Sequence, residues 1–180
     1  MRPGIAPHLQ PGDLARICRP LDWFGLNHYS PVYVKAEPDS MLGFGFGEKP
    51  AAVPQTPIGW PIEPGAFAET LLTIHQGYRL PIYVLENGYG GFDEPDQNGA
   101  VTDPERVRFL RDYIGAMNEA ASKGADVRGY FVWSLLDNFE WDSGYSVRFG
   151  LTYVDYPSLR RIPKASFHWY ADLIRTARQR

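Results

Sequence analysis

Three short apolar stretches end on side chains that can grip or attack a polyol. Residues 21–29 (LDWFGLNHY) end on Asn27 and Tyr29, and residues 80–85 (LPIYVL) lead into Glu86 and Asn87. Residues 127–134 (VRGYFVWS) carry Trp133, with Glu140 and Trp141 just beyond. A carboxylate held at the mouth of a rigid strand suits nucleophilic attack on an anomeric carbon. A neighbouring phenol can donate a hydrogen bond that keeps such a carboxylate ionised and aimed. Indoles offer flat faces to the C–H faces of a sugar ring, and amides and carboxylates bind its hydroxyls. Each residue also has a plainer reading. Asn87-Gly88 is a favoured turn dipeptide, and Trp133 and Phe149 could be ordinary core aromatics.

The elements that must position these groups follow from periodicity. The three apolar runs read as buried strands. A helix is expected near 64–76, with Phe67, Leu71 and Ile74 on one face and Gly77 as its stop. A second begins at Asp103-Pro104, with Asp103 as N-cap, an apolar face of Val107, Leu110, Ile114 and Met117, and Gly124 closing it. Pro163 is expected to open a last helix that turns Phe167, Tyr170 and Ile174 inward. Between strands and helices lie a long Pro/Gly-rich loop at 31–62 and a stretch at 138–156 that reads as a loop with a β-hairpin around Gly144. Strand–helix order repeated three times implies α/β architecture with a parallel sheet, whose functional groups sit at the C-terminal strand ends.

Composition narrows the function. A net charge of −3 lacks the clustered basic excess of a nucleic-acid footprint. The terminal IRTARQR reads as a solvated helix end. No apolar run approaches the ~18 residues of a membrane span. MRPGIAPHLQPGDL has no apolar secretion-signal core, so the expected location is cytoplasmic. The single cysteine, Cys18, excludes an internal disulfide and is expected to pack as a small apolar residue. His8, His75 and His168 have no ligand spacing, so neither metal nor other cofactor is implied.

Four motifs in order carry a resemblance. FVWSLLDNFEWDSGYSVRFGLTYVDY (131–156), IYVLENGYG (82–90), DWFGLNHYSP (22–31) and GWPIEPGAF (59–67) are together similar to glycoside hydrolase family 1, the β-glucosidases and their relatives. The resemblance implies a (β/α)8 TIM barrel, of which residues 1–180 would supply the last three βα units, strands six to eight. It implies Glu86 as catalytic nucleophile, Tyr29 as its support, Asn27 lining the glycone pocket and Trp133 forming its floor. Glu140 would accept hydrogen bonds from the outer hydroxyls, Trp141 would be an indole donor beside it, and Phe149 would close the pocket. The phospho-sugar branch of the family typically has serine, lysine and tyrosine where this chain has Glu140, Val147 and Phe149. Two positions depart from the family pattern: Leu85 stands for a threonine and His28 for a tyrosine. Strand alternation predicts that Leu85 points away from Glu86 and that His28 faces packing rather than the site.

The family's acid/base lies in an Asn-Glu-Pro motif that this chain lacks. Its Glu-Pro pairs, Glu37-Pro38, Glu63-Pro64 and Glu94-Pro95, fall in loops or at a helix start. The expected partners are therefore a small β-glucoside or oligosaccharide and an N-terminal barrel portion, in the same or a separate chain, with neither nucleic acid nor membrane. The alternative reading is a non-catalytic relic or carbohydrate-binding half-barrel.

Overall fold

The computed structural model describes residues 8–179; residues 1–7, on which part of the secretion-signal reading falls, and Arg180 lie outside the described residues. In chain order the elements are α1 (Asp13–Ile17), β1 (Phe24–Asn27), β2 (Val34–Ala36), β3 (Phe44–Phe46), α2 (Pro64–Tyr78) and β4 (Ile82–Asn87), then α3 (Pro104–Ser122), β5 (Val127–Val132), β6 (Thr152–Asp155), β7 (Arg160–Pro163) and α4 (Ala165–Ala177). β1, β4 and β5 form one parallel sheet in that order. The long loop at 31–62 is not structureless, since β2 and β3 pair within it as an antiparallel hairpin. No helix among the described residues is long and apolar enough to cross a membrane.

One face of the sheet is covered and the other is open. Ile82 and Val84 of β4 meet Phe67 and Leu71 of α2 and Phe109, Leu110 and Tyr113 of α3 in a single apolar cluster. Full burial of each large aliphatic side chain contributes about 1.5–3 kcal/mol. The opposite face carries Trp23, Leu85 and Phe131, which remain 46%, 40% and 55% exposed. Gly25 and Gly129 belong to this face, because a Cβ on Gly25 would collide with Leu85 and Trp23 and one on Gly129 with Tyr83.

Several local expectations are corrected. α2 runs through Gly77; its end is marked by Arg79 in the left-handed region, whose N–H closes on the His75 carbonyl. A single helical glycine costs only about 1 kcal/mol, less than the packing that holds the helix. Asp103 does not cap α3 with its side chain, because that carboxylate is taken by Arg106 and Ser166. The hairpin is not centred on Gly144; β6 and β7 pair with Asp155 opposite Arg160, so the turn lies at 156–159. Pro163 ends β7 rather than opening α4, and Lys164 between them is extended. Phe167 and Tyr170 pack inward, but Ile174 is 37% exposed. Cys18 is exposed rather than packed, because α1 has only five residues and none of them is buried.

Six buried or half-buried charges of alternating sign tie the loops to the helices. Asp103 and Asp93 both bind Arg106, Lys164 bridges Asp93 and Asp137 at 2.6 and 2.9 Å, and Asp137 binds Arg148 at 2.7 Å. Arg106 also donates to the carbonyls of Tyr89 and Arg148, and Asp137 accepts the N–H groups of Gly150 and Val154. Burial would raise the Asp93 carboxyl, but the adjacent Arg106 and Lys164 charges outweigh it and hold the group below its ordinary 3.8. Burial is likewise the larger influence on Lys164, pulling its ammonium below 10.5.

Deleting one partner of such a set strands a buried charge, which costs about 3–5 kcal/mol. Asp137→Ala should therefore lower stability by about that amount and speed amide exchange across 134–154; an unchanged denaturation midpoint would show that the network does not hold the loop. A depressed carboxyl contributes stability above its unfolded value that is lost as pH falls through its folded value. Acidification below 3.8 should accordingly destabilise the fold through Asp93, an effect that Asp93→Asn should diminish.

Candidate active site

Glu86 owes its placement to an irregularity in β4. Leu26 pairs with Val84 but Asn27 pairs with Glu86, so β4 carries an extra residue there. On its other side Tyr130 pairs with Val84 and Val132 with Asn87, the same one-residue excess. Such a bulge breaks alternation and re-aims a side chain. Leu85 lies over Gly25 on the open face, whereas Asn87, two residues on, is wholly buried on the helix-covered face. Alternation therefore does not separate Leu85 from Glu86, contrary to the expectation from strand geometry.

The bulge delivers the Glu86 carboxylate to Tyr29, whose phenol donates to Oε2 at 2.7 Å. Burial, the Glu86 hydrogen bond, and the charges of Glu86 and Glu140 push the Tyr29 phenol well above the usual tyrosine range. The phenol thus stays protonated and remains a donor. Asn27 is the register partner of Glu86 on β1 and is exposed on the open side. His28 packs as expected, with its ring 5.0 Å from Phe67, although its buried Nδ1 finds no hydrogen-bond partner among the described residues. Burial lowers its pKa, which favours the neutral ring.

The remaining candidates come from the segment after β5. The Trp133 indole N–H donates to Glu140 Oε2 across a long 3.4 Å. Trp133 N–H is fixed by the Asn87 carbonyl at 2.9 Å. Phe149, 2% exposed, sits with Tyr29 and Trp60 in a trio of rings whose centroids are 5.4–5.9 Å apart. Trp141 is not drawn into this group. It is 84% exposed at the start of a one-turn 3-10 helix, with φ at +38°. The structure thus brings Glu86, Tyr29, Asn27, Trp133, Glu140 and Phe149 to one end of the sheet and leaves Trp141 in solvent.

Two glycines permit this closeness. A Cβ at Gly88 would lie 2.0 Å from the Trp133 carbonyl oxygen, and one at Gly90 would lie 2.7 Å from the Phe149 ring. Asn87-Gly88 is therefore no turn: the strand runs through Asn87, and the glycine is needed for the approach of Trp133. Asn87 itself is not an amide of the mouth, since it donates to the His28 carbonyl and accepts from the Tyr130 hydroxyl. Trp60 was absent from the sequence-derived candidates, because its Gly-Trp context reads only as the approach to a helix. Among the described residues no group of three or more His, Cys, Asp or Glu side chains is placed to hold a metal ion.

A carboxylate aimed by a phenol and flanked by indoles, an amide and a second carboxylate can attack and bind a sugar, and comparison with known proteins bears on the same point. The chain is 40% identical over 164 residues to β-glucosidase A of Thermotoga maritima, a match covering 91% of this chain and 36% of that protein. A solved structure of the Thermotoga maritima β-glucosidase in complex with azafagomine superposes with a TM-score of 0.85 over 91% of this chain and 37% of that one. A bifunctional β-D-glucosidase/β-D-fucosidase of Bifidobacterium breve is 42% identical over 179 residues (91% of this chain, 39% of that protein). A 6-phospho-β-galactosidase of Lacticaseibacillus rhamnosus is 36% identical over 179 residues (87% and 38%). The chain thus spans little more than a third of the length of these relatives. The model of the glycosyl hydrolase family 1 matches residues 1–179, and the chain belongs to that family.

Proposed function

We infer that this chain supplies the nucleophile and part of the glycone pocket of a retaining β-glucosidase, as the last three βα units of a (β/α)8 barrel. The observation that carries the reading is the Glu86 carboxylate, held by a bulge and a phenol at the C-terminal end of a parallel sheet. In the mechanism this supports, Glu86 attacks the anomeric carbon and forms a glycosyl ester, which water then cleaves with net retention. Tyr29 orients the attacking oxygen and Asn27 binds a hydroxyl beside it. Trp133 supports the ring from below, and Glu140 accepts from the outer hydroxyls.

Retaining hydrolysis also needs an acid to protonate the leaving group, about 5–5.5 Å from the nucleophile. That group belongs to an N-terminal portion with the Asn-Glu-Pro motif. The open apolar face of Trp23, Leu85 and Phe131 is what such a portion would cover, since an exposed sheet with bare edges is poorly tolerated. Joined to or mixed with the preceding five βα units, the chain should hydrolyse aryl β-glucosides and release the β-anomer first, as read by proton NMR. Glu86→Ala should lower kcat by a factor of about 10⁴ or more. An active Glu86→Ala enzyme, or first release of the α-anomer, would count against the mechanism. A completed barrel that binds glucosides without turnover would favour a carbohydrate-binding role instead.

The pocket chemistry also favours an unphosphorylated sugar. Glu140 places a carboxylate where a 6-phosphate would sit, and Val147, buried against Gly90, brings no cation. The next cation, Arg148, is committed to Asp137 and stacked over the Tyr153 ring at 4.0 Å. A hydroxyl, by contrast, gains about 1.5–3 kcal/mol from a charged acceptor. Glucosides should therefore be preferred over 6-phosphoglucosides by at least ~100-fold in kcat/KM, about 2.7 kcal/mol of discrimination. Glu140→Ser should narrow the gap by weakening the neutral substrate, and a wild-type preference for the phosphorylated sugar would contradict this reading of the pocket.

A further inference from the structure

Tyr29 lies two residues beyond the last ladder pair of β1, so the sheet alone does not hold it. Three contacts fix the segment that carries it. His28 N–H donates to the Glu86 carbonyl at 2.9 Å, and the buried Asn87 amide donates to the His28 carbonyl at 2.7 Å. The third contact comes from α3, where the Tyr113 hydroxyl donates to the Tyr29 carbonyl at 3.3 Å and accepts the Glu63 N–H at 3.1 Å. A phenol has one proton, and a backbone N–H can only donate to it, so the proton on Tyr113 must face Tyr29.

We propose that Tyr113 is a positioning residue for the nucleophile, acting through the Tyr29 backbone to keep the Tyr29 phenol on Glu86. Its ring stacks on Phe109 at 4.1 Å and tilts against Phe67 at 5.5 Å, and it is wholly buried. The hydroxyl is therefore set by the helix rather than free to follow the loop. Through Glu63 it also ties this segment to the first turn of α2, and Glu63 in turn accepts from the Tyr33 hydroxyl. Burial raises the Tyr113 hydroxyl to about 12, so it remains a donor across the range in which a glycosidase works. Neither periodicity nor motif singles out this residue, because in the sequence it is one more aromatic on the buried face of a helix.

The proposal rests on the nucleophile reading above and is tested in the barrel-completed enzyme by a double-mutant cycle of Tyr29→Phe and Tyr113→Phe. The pH profile of kcat/KM is the readout. A hydrogen bond to an ionised carboxylate favours its charged form, so loosening it moves the acid limb upward. Tyr113→Phe should move the limb up by about half a pH unit and lower kcat/KM about 10-fold, chiefly in kcat. Tyr29→Phe should do the same more strongly, and the double variant should match Tyr29→Phe alone. If Tyr29→Phe moves the limb but Tyr113→Phe does not, or if their effects simply add, the positioning role is wrong while the nucleophile reading stands. If Tyr29→Phe leaves the limb unmoved, the supporting phenol and its positioning fall together. Tyr113→Phe keeps the stacked ring; should it not fold, Tyr113→Met fills the slot without a donor and is read in the same way.

Discussion

The loops at this end of the molecule depend on a row of charges that cannot leave the interior. Asp103, Arg106, Asp93, Lys164, Asp137 and Arg148 alternate in sign, three of each, and are largely removed from water. Each ion alone would be expensive to bury, and the set is tolerable only when every member is paired and its remaining hydrogen bonds are met. That condition is demanding because the members come from four places: the loop after β4, the first turn of α3, the segment after β5 and the residue before α4. If any of these moves, a charge is stranded. The network therefore acts as a register pin for segment 133–151, on which Trp133, Glu140 and Phe149 ride.

A finer device works at Glu86. The bulge turns a residue that alternation would have assigned to a face into one aimed at the mouth of the sheet. Asn87 anchors the far side of the bulge, bound between the His28 carbonyl and the Tyr130 hydroxyl. The Tyr29 phenol anchors the near side. The carboxylate is held by groups whose own positions are fixed from behind. This is what a covalent mechanism needs, because displacement of an attacking oxygen by 1 Å can cost 100-fold in rate.

The parallel sheet and most of the helix faces were legible in the sequence because each depends on local pattern, whereas the candidate site residues came chiefly from motif resemblance, which passed over Trp60. Phe67 and Leu71 repeat at helical spacing, and PIYVL has the continuous apolarity of a strand buried between neighbours. What depends on contacts between distant residues was not legible. Asn87 reads as a turn residue or a mouth amide until the His28 carbonyl and the Tyr130 hydroxyl are seen to claim it. No pattern singles out Arg106, which is 1% exposed because Asp93 and Asp103 arrive from the preceding loop to pair with it. The bulge at Leu85 and Glu86 leaves no mark on composition. Trp141 was assigned to the site by its motif, yet it is 84% exposed in the 3-10 turn after β5.

The account comes down to one covalent bond, between an anomeric carbon and Glu86. A 2-deoxy-2-fluoro glucoside with a good leaving group slows both steps of a retaining mechanism and lets the glycosyl-enzyme accumulate. Treating the barrel-completed enzyme with it, digesting, and sequencing the modified peptide by mass spectrometry reads the nucleophile directly. The account predicts a single added fluoroglucosyl group on the peptide containing IYVLENGYG, located at Glu86. A label on Glu140 or any other carboxylate, or turnover without any covalent adduct, would contradict it.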